Sequence, residues 1–567
     1  MKRRNLFGIL VLTSSFLFVT ACDTPTFNDG PNQNDEEKVL EVTFSDDFKD
    51  TYETGEILRY TGITVKDSIT KEVIPYPMFS PNEGMGLNEP GEITITIRVD
   101  GYKDYTFKIT VVPSEDYVSK KRIDLYSVND FHGSFIENGD EVGMARLASF
   151  LKERKKAGDV VLSAGDMWQG GVESNLTKGK IVIDSMNYIG FDGMSVGNHE
   201  FDWGFETLES NISLMDFPML GANAYDNRTN ERFDYFDPYT IVESKGIKIG
   251  IIGTGSEYLP DDITYEYAQY LDFKDQIPLI KSYSEELREE KDCDVIVLLA
   301  HDSGTYDYSV PEPVKYEELT ETSSVNNLPY VDAIFLGHDH DTKSGKFNNI
   351  PYAEGGSNGE NVSHISLNLV ESKNGRYIVE EGSATTIETS SYQPCKEEDE
   401  YIISLLDKYE SELAPANEVI CTFSSYVSKD DFLELLCLAM IEYVNDPKNE
   451  SILIDDKKVN YGFHNNGGVR DSFSGGEFTY RDLIKVVPFD NTVCVAKLSL
   501  EQFDAWLDSN EHYEYSGIAQ EGDYVYIAAI NYLSDNVASF PSVDSKDTNV
   551  VIQDVLKEYL KAHDNEL

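Results

Sequence analysis

The stretch Gly193-Met194-Ser195-Val196-Gly197-Asn198-His199-Glu200-Phe201-Asp202 decides how this chain is read. A short apolar run with strand texture stops at Val196 and gives way to a turn rich in amide, imidazole and carboxylate groups. The pattern recurs. Ile123–Val128 leads to Asp130, Phe131, His132 and Gly133; Val160–Ala164 leads to Gly165 and Asp166. Val295–Ala300 runs into His301, and Val331–Leu336 into Gly337, His338, Asp339 and His340. Together with Ile249–Gly253, these runs alternate with helical stretches such as Met144–Lys156 and Lys180–Ile189, which predicts an α/β layered domain.

Ligands of open α/β sheets gather at the carboxyl ends of the strands, where all five motifs lie. Taken singly, an Asp or Asn after a strand is often only a turn residue. The five motifs together take five of the nine histidines, which turn chemistry does not explain. Carboxylate, imidazole and amide donors without thiolate suit first-row divalent ions such as Zn, Mn or Fe rather than Ca. His199 stands apart, because Asp202 three residues on would orient its imidazole and favour the protonated form, which stabilises growing negative charge.

On these motifs the chain resembles the calcineurin-like metallophosphoesterases and, more closely, the bacterial 5'-nucleotidase family, over residues from about 121 to 540. The resemblance implies a four-layer α/β sandwich followed by an α+β C-terminal domain. It implies that Asp130, His132, Asp166 and His340 hold one divalent metal ion, and that Asp166, Asn198, His301 and His338 hold a second, with Asp166 between them. Such a pair, ~3.5–4 Å apart, polarises a phosphoryl oxygen and lowers the pKa of a water so that hydroxide attacks in line. His199 and Asp202 match the family's catalytic His-Asp dyad.

The C-terminal stretch His464-Asn465-Asn466-Gly467-Gly468-Val469-Arg470 allows a tight turn followed by a guanidinium able to clamp an anion. In the family it resembles the nucleotide-binding segment, which assigns Asn465 and Arg470 to substrate. Phe489, after Pro488, and Phe540 match two aromatics that stack on a base. The chain departs from that pattern before Phe540, where Asn536-Val537-Ala538-Ser539 replaces a Gly-Gly-Asp. It departs again in the helix Lys429–Tyr443, which lacks arginines found in members of the family, and in the short stretch between Gly517 and Tyr524.

Outside this region the chain is modular. Lys2, Arg3 and Arg4 precede an apolar stretch, Leu6–Val19, that ends in Thr20-Ala21-Cys22. This reads as a signal peptide over 1–21 with a bacterial lipobox, in which Cys22 is acylated, and a polar tether over 22–37. Over 38–114, Ile93-Thr94-Ile95-Thr96-Ile97, an Asp100-Gly101 turn and Tyr105-Thr106-Phe107-Lys108-Ile109 alternate with period two, which predicts a hairpin. With Val39–Phe44 and the segment Tyr52–Val65, it predicts a small antiparallel β-sandwich resembling bacterial immunoglobulin-like modules. The remaining divisions are 121–395 for the phosphoesterase domain, 396–413 for a connecting helix and 414–567 for a substrate-binding domain.

Composition narrows the function further. A formal charge of -55 excludes a broad basic surface for nucleic-acid polymers. The five cysteines beyond Cys22 are odd in number and lack close pairs, so a disulfide framework is not expected. The expectation is a lipid-anchored enzyme on the outer face of the bacterial membrane that hydrolyses nucleotide phosphate esters, foremost 5'-monophosphates. Hydrolysis of 2',3'-cyclic nucleotides or nucleotide sugars on the same site is one alternative, and a non-catalytic surface adhesin is another. Oligomeric state is open.

Overall fold

The computed structural model describes residues 38–87, 90–112, 119–139, 141–305, 310–323, 327–372, 376–395, 397–507, 512–515, 523–535 and 544–564. The leader 1–21, Cys22, the tether 22–37 and Phe540 lie outside them. No helix among the described residues is long and apolar enough to cross a membrane.

The N-terminal hairpin forms as the alternation requires. Gly91–Arg98 and Tyr105–Val112 run antiparallel, with Ile93 opposite Ile109 and Ile95 opposite Phe107. Ile95 and Ile97 point inward while Thr94 is exposed. This pair joins Thr51–Glu53 and Met78–Ser80 in a four-stranded sheet, and a three-stranded sheet holds Lys38–Phe44, Ile63–Asp67 and Tyr102–Lys103. Leu40 and Val65 of one sheet pack on Ile97 of the other. The sheets are not purely antiparallel as expected. Lys38–Phe44 pairs in parallel with Tyr102–Lys103, and Thr51–Glu53 with Tyr105–Val112, because these short edge segments enter from loops rather than from hairpin turns.

The central region holds two six-stranded sheets packed face to face. One runs Met219–Leu220, Gly193–Ser195, Val160–Ser163, Lys120–Val128, Asn361–Glu371, Tyr377–Glu388. The other runs Tyr239–Ser244, Ile247–Gly255, Val295–His301, Ala333–Phe335, Ile350–Gly355, Thr342–Phe347. Alternate residues of the inner strands, including Ile123, Leu162, Ile249, Val297 and Leu367, form the core between the sheets. The intervening residues face helices. Val161 and Met194 pack with the helices Gly143–Lys156 and Lys180–Ile189, while Ile296, Leu298 and Ile334 pack under Gln276–Glu289. Strands buried on both faces read as continuous apolar runs, which is why they were legible. The result is four layers, helix-sheet-sheet-helix.

The expected connecting helix over 396–413 is broken. It consists of Glu400–Lys408 and Glu410–Leu413, separated at Tyr409, whose φ of -104° and ψ of 17° leave the helical region. The Tyr409 hydroxyl donates to Asp184 at 2.7 Å and ties the break to the helix Lys180–Ile189 of the central region. Beyond it, a five-stranded sheet runs His512–Tyr515, Tyr461–His464, Tyr524–Ile530, Thr492–Ser499, Asp544–Val551. The helix Lys429–Asn445 lies against it, opened by a Ser428/Asp431 capping box, and Ile552–His563 packs alongside.

One buried ion pair sets the starts of two strands that end in site residues. Asp332, just before Ala333–Phe335, accepts from Arg288 at 2.6 Å and from the Ile296 amide at 2.7 Å. Both side chains are almost wholly buried. Truncating one partner strands a buried charge. Asp332→Ala is therefore expected to lower unfolding stability by about 3 kcal/mol in urea titrations, whereas a change below about 1 kcal/mol would show the pair to be dispensable.

Candidate metal centre and substrate cavity

The strands Lys120–Val128, Val160–Ser163, Gly193–Ser195, Val295–His301 and Ala333–Phe335 end at one edge of the double sheet, and their terminal loops converge there. Asp130, Asp166 and His301 bring donor atoms within 4.8 Å of one another, as do Asp130, His132 and His340. The loops achieve this in unusual backbone conformations. Asp130, His132, Asp166, His338 and His340 all have positive φ, between 48° and 93°. That region is costly for residues with a Cβ, and non-glycine residues held there cluster at functional sites. Gly197 shows how close the loops approach: a Cβ on it would lie 2.1 Å from Asp166 Oδ1.

The donors are oriented from behind. His301 Nδ1 lies 2.8 Å from the Ala164 carbonyl, an acceptor, so Nδ1 carries a proton and Nε2 is the atom turned to the centre. That Nε2 faces Asp166 Oδ2 at 3.2 Å and Asn198 Oδ1 at 3.0 Å. His132 Nδ1 is likewise held by the Gln169 carbonyl at 3.1 Å, and its Nε2 sits 3.0 Å from His340 Nε2. His338 Nδ1 lies 3.2 Å from Asn198 Oδ1. Asp130 Oδ2 accepts from the Asn129 side chain and the His338 amide, while Oδ1 is buried with no hydrogen-bond partner among the described residues. Facing lone pairs and an orphaned carboxylate oxygen are what a cation would satisfy, so this donor set fits divalent metal.

The electrostatics agree. Burial by itself would lower the His301 pKa, yet the Asp166 and Asp130 carboxylates raise it to about 10, so the cluster demands positive charge. Burial holds His132 and His340 below the usual imidazole range, which favours the neutral form that ligates metal. His199 differs. Its Nδ1 meets Asp202 Oδ2 at 2.8 Å, and the Asp202 and Asp166 carboxylates override burial and lift its pKa to about 9. It also lies close enough to His132 and Asp166 to share a cation with them, so proximity by itself does not separate it from the other histidines.

Asn465, Arg470 and Phe489 meet this centre from the C-terminal side. With His199, Asp202, His338 and Tyr267 they line a cavity of about 470 Å³. Phe489 stacks on His199 with ring centroids 5.5 Å apart, and the Arg470 guanidinium sits 5.2 Å from the Phe489 ring centre. Asn465 Oδ1 is buried without a hydrogen-bond partner among the described residues. The Pro488 carbonyl accepts from the Gln169 and Asn175 side chains at 2.7 and 2.8 Å, and Lys178 pairs with Asp490 at 2.6 Å, so Phe489 is bracketed by bonds between the two halves of the molecule.

Sequence reading did not single out Glu200, Asn129, Tyr267 or Asp262. Asp262 lies 3.4 Å from His338 Nε2. Tyr267 and Asp262 belong to a surface segment with no strand-end signature. Glu200 was visible beside His199 but carried no expected role. It is buried and accepts the amides of Asp166, Met167 and Gly197 at 2.9–3.0 Å, which locks two of the loops together. Burial and the Asp166 carboxylate push its pKa up to about 7. Glu200→Ala would leave three amides unsatisfied, at roughly 1–3 kcal/mol each. It should lower the unfolding free energy by at least about 3 kcal/mol, and a variant as stable as the parent in chemical denaturation would refute this account.

Comparison with known proteins accords with this geometry. Residues 125–342 match the calcineurin-like phosphoesterase family, and residues 421–539 match the 5'-nucleotidase C-terminal domain. Protein UshA of Yersinia enterocolitica is 24% identical over 81% of this chain and 92% of its own length. A 5'-nucleotidase of Vibrio cholerae is 25% identical over 72% of this chain and 80% of its own. Among solved structures, a 5'-nucleotidase precursor from Thermus thermophilus shares the fold, with a TM-score of 0.60 and 19% identity over 78% of this chain and 96% of its own. With both domains matched in order, the chain joins a calcineurin-like metallophosphoesterase domain to a 5'-nucleotidase C-terminal domain, the arrangement of the 5'-nucleotidases it resembles, and its relatives indicate a metal-dependent phosphoric ester hydrolase.

Proposed function

We propose that the protein hydrolyses nucleotide 5'-monophosphates at a centre of two divalent ions. The observation that carries this reading is the convergence of oriented, unsatisfied donors on one side of the cavity with Arg470, Asn465 and Phe489 on the other. Asp130, His132, Asp166 and His340 would hold one ion, and Asp166, Asn198, His301 and His338 the other. Ions bound there supply Lewis acidity toward the phosphoryl oxygens and acidify water. The chain's own groups do the rest. His199, kept protonated by Asp202, donates toward the charge that grows on the phosphoryl and leaving oxygens. Arg470 neutralises the phosphate from the opposite side. Phe489, fixed by Pro488 and backed by His199, offers a π-face to the base, and Phe540 is proposed as its partner.

A panel of AMP, cyclic nucleotides, nucleotide sugars and p-nitrophenyl phosphate tests this reading. Phosphate release should stop in EDTA and return with Mn or Zn. Base stacking is worth ~1–3 kcal/mol, so Phe489→Ala should cut kcat/KM for AMP by roughly 5- to 150-fold while sparing p-nitrophenyl phosphate. Absence of phosphate release from every substrate would defeat the proposal. Faster turnover of cyclic nucleotides or nucleotide sugars than of AMP would reassign the substrate.

We also propose the domain division 38–114, 121–395, 396–413 and 414–567, with an immunoglobulin-like first module whose packed pair of small sheets supports the reading. Acylation at Cys22 after removal of 1–21 would tether the enzyme outside the cell through 22–37. Cells fed labelled palmitate should incorporate it into the protein but not into a Cys22→Ser variant, and equal labelling of the two would exclude this anchor.

A further inference from the structure

Behind the two histidines of the last motif lies a buried cation that the chemistry above does not use. Lys343 is only 8% exposed in a chain of formal charge -55, and it projects from the edge strand Thr342–Phe347 beneath the site. Its Nζ lies 3.0 Å from Asp339 Oδ2, 2.9 Å from Glu354 Oε2 and 3.2 Å from the Ser303 carbonyl. Each partner sits on a different piece of the centre. Asp339 is the residue between His338 and His340; Ser303 lies two residues after His301; Glu354 is in the fully buried strand Ile350–Gly355.

The position of Asp339 matters because its neighbours are strained. His338 has φ of 93° and His340 φ of 61°, and such residues persist only where surrounding contacts hold them. Asp339 cannot supply that hold unaided. Its carboxylate, itself little exposed, faces the buried Glu354, and without a cation between them two carboxyl groups would be pressed together with little water to screen them. The ammonium joins both to the loop that follows His301, so three histidine-bearing positions share one anchor.

We propose that Lys343 is a positioning residue for the metal centre, holding the His338–His340 turn and the His301 loop in the geometry that binds the divalent ion. This rests on the reading of these histidines as ligands. Groups behind metal ligands contribute about 10- to 100-fold to metal affinity, and Lys343 acts on three ligands at once.

The test compares wild-type protein with Lys343→Met, which keeps the aliphatic stem, and Asp339→Asn, which leaves the Lys343–Glu354 pair in place and protects the experiment if the first variant does not fold. Mn²⁺ affinity is measured by chelator competition, and urea unfolding is run in EDTA and in excess Mn²⁺. Lys343→Met should bind Mn²⁺ about 10- to 100-fold more weakly. Asp339→Asn should shift the same way by less. The stabilisation gained on adding the same excess of Mn²⁺ should shrink relative to wild type, and saturating Mn²⁺ should restore kcat with KM unchanged. A lysine that merely stabilises the fold would lower EDTA and Mn²⁺ unfolding curves equally and leave affinity unchanged in whichever variant folds, which would overturn the inference. A wild-type protein that binds no Mn²⁺ would defeat the metal reading itself.

Discussion

The structure is organised around a deficit of positive charge in a place water does not reach. Asp130 and Asp166 are buried at the end of the double sheet, and His301, fully buried beside them, is driven toward the protonated state by their proximity. Isolated buried carboxylates are costly, and such a cluster persists only with a compensating cation. Here the imidazole lone pairs and the Asn198 carbonyl are turned toward the same point as the carboxylates, which a proton on one ring could satisfy only in part.

Two packed sheets are what make such a cluster possible. Each contributes strands whose carboxyl ends finish at the same edge: three from the first sheet end at Asp130, Asp166 and Asn198, and two from the second end at His301 and the His338–His340 turn. Apolar side chains between the sheets fix their separation, so the loops meet at a distance set by core packing rather than by their own flexibility. The backbone pays for that meeting with positive φ at five residues, and groups behind the loops, Glu200, Asn129 and Lys343, hold the strained turns in place.

The C-terminal domain adds what the metal edge lacks. A cavity lined by Asp166, Asp202, Asp262, Glu266, Asp339 and Asp490 carries Arg470 as its guanidinium, and its aromatic lining includes Phe489. An acidic enzyme repels anionic substrates at long range. Under the proposed function, recognition of a phosphate ester would be local, through bound cations and Arg470, and the bonds of Gln169 and Asn175 to Pro488 that seat Phe489 would be central to it.

What the sequence determined by itself was the layered class of the central domain and the positions of the donors. Fully buried strands write themselves as continuous apolar runs, and the polar residues that follow them have to be turns or ligands, so Asp130, Asp166, Asn198, His301, His338 and His340 were legible as a set of strand-end donors, though not singly. The period-two hairpin at 91–112 was legible for the same local reason. Tertiary structure alone decided the rest. The break at Tyr409 depends on a bond to Asp184, 225 residues away in sequence. The parallel pairing of two short N-terminal strands, the reach of Tyr267 into the cavity and the bond of Lys343 to Ser303 with its ion pair to Glu354 likewise depend on contacts between segments distant in sequence. A local pattern records which groups a segment exposes or buries. It does not record what the fold later places against them.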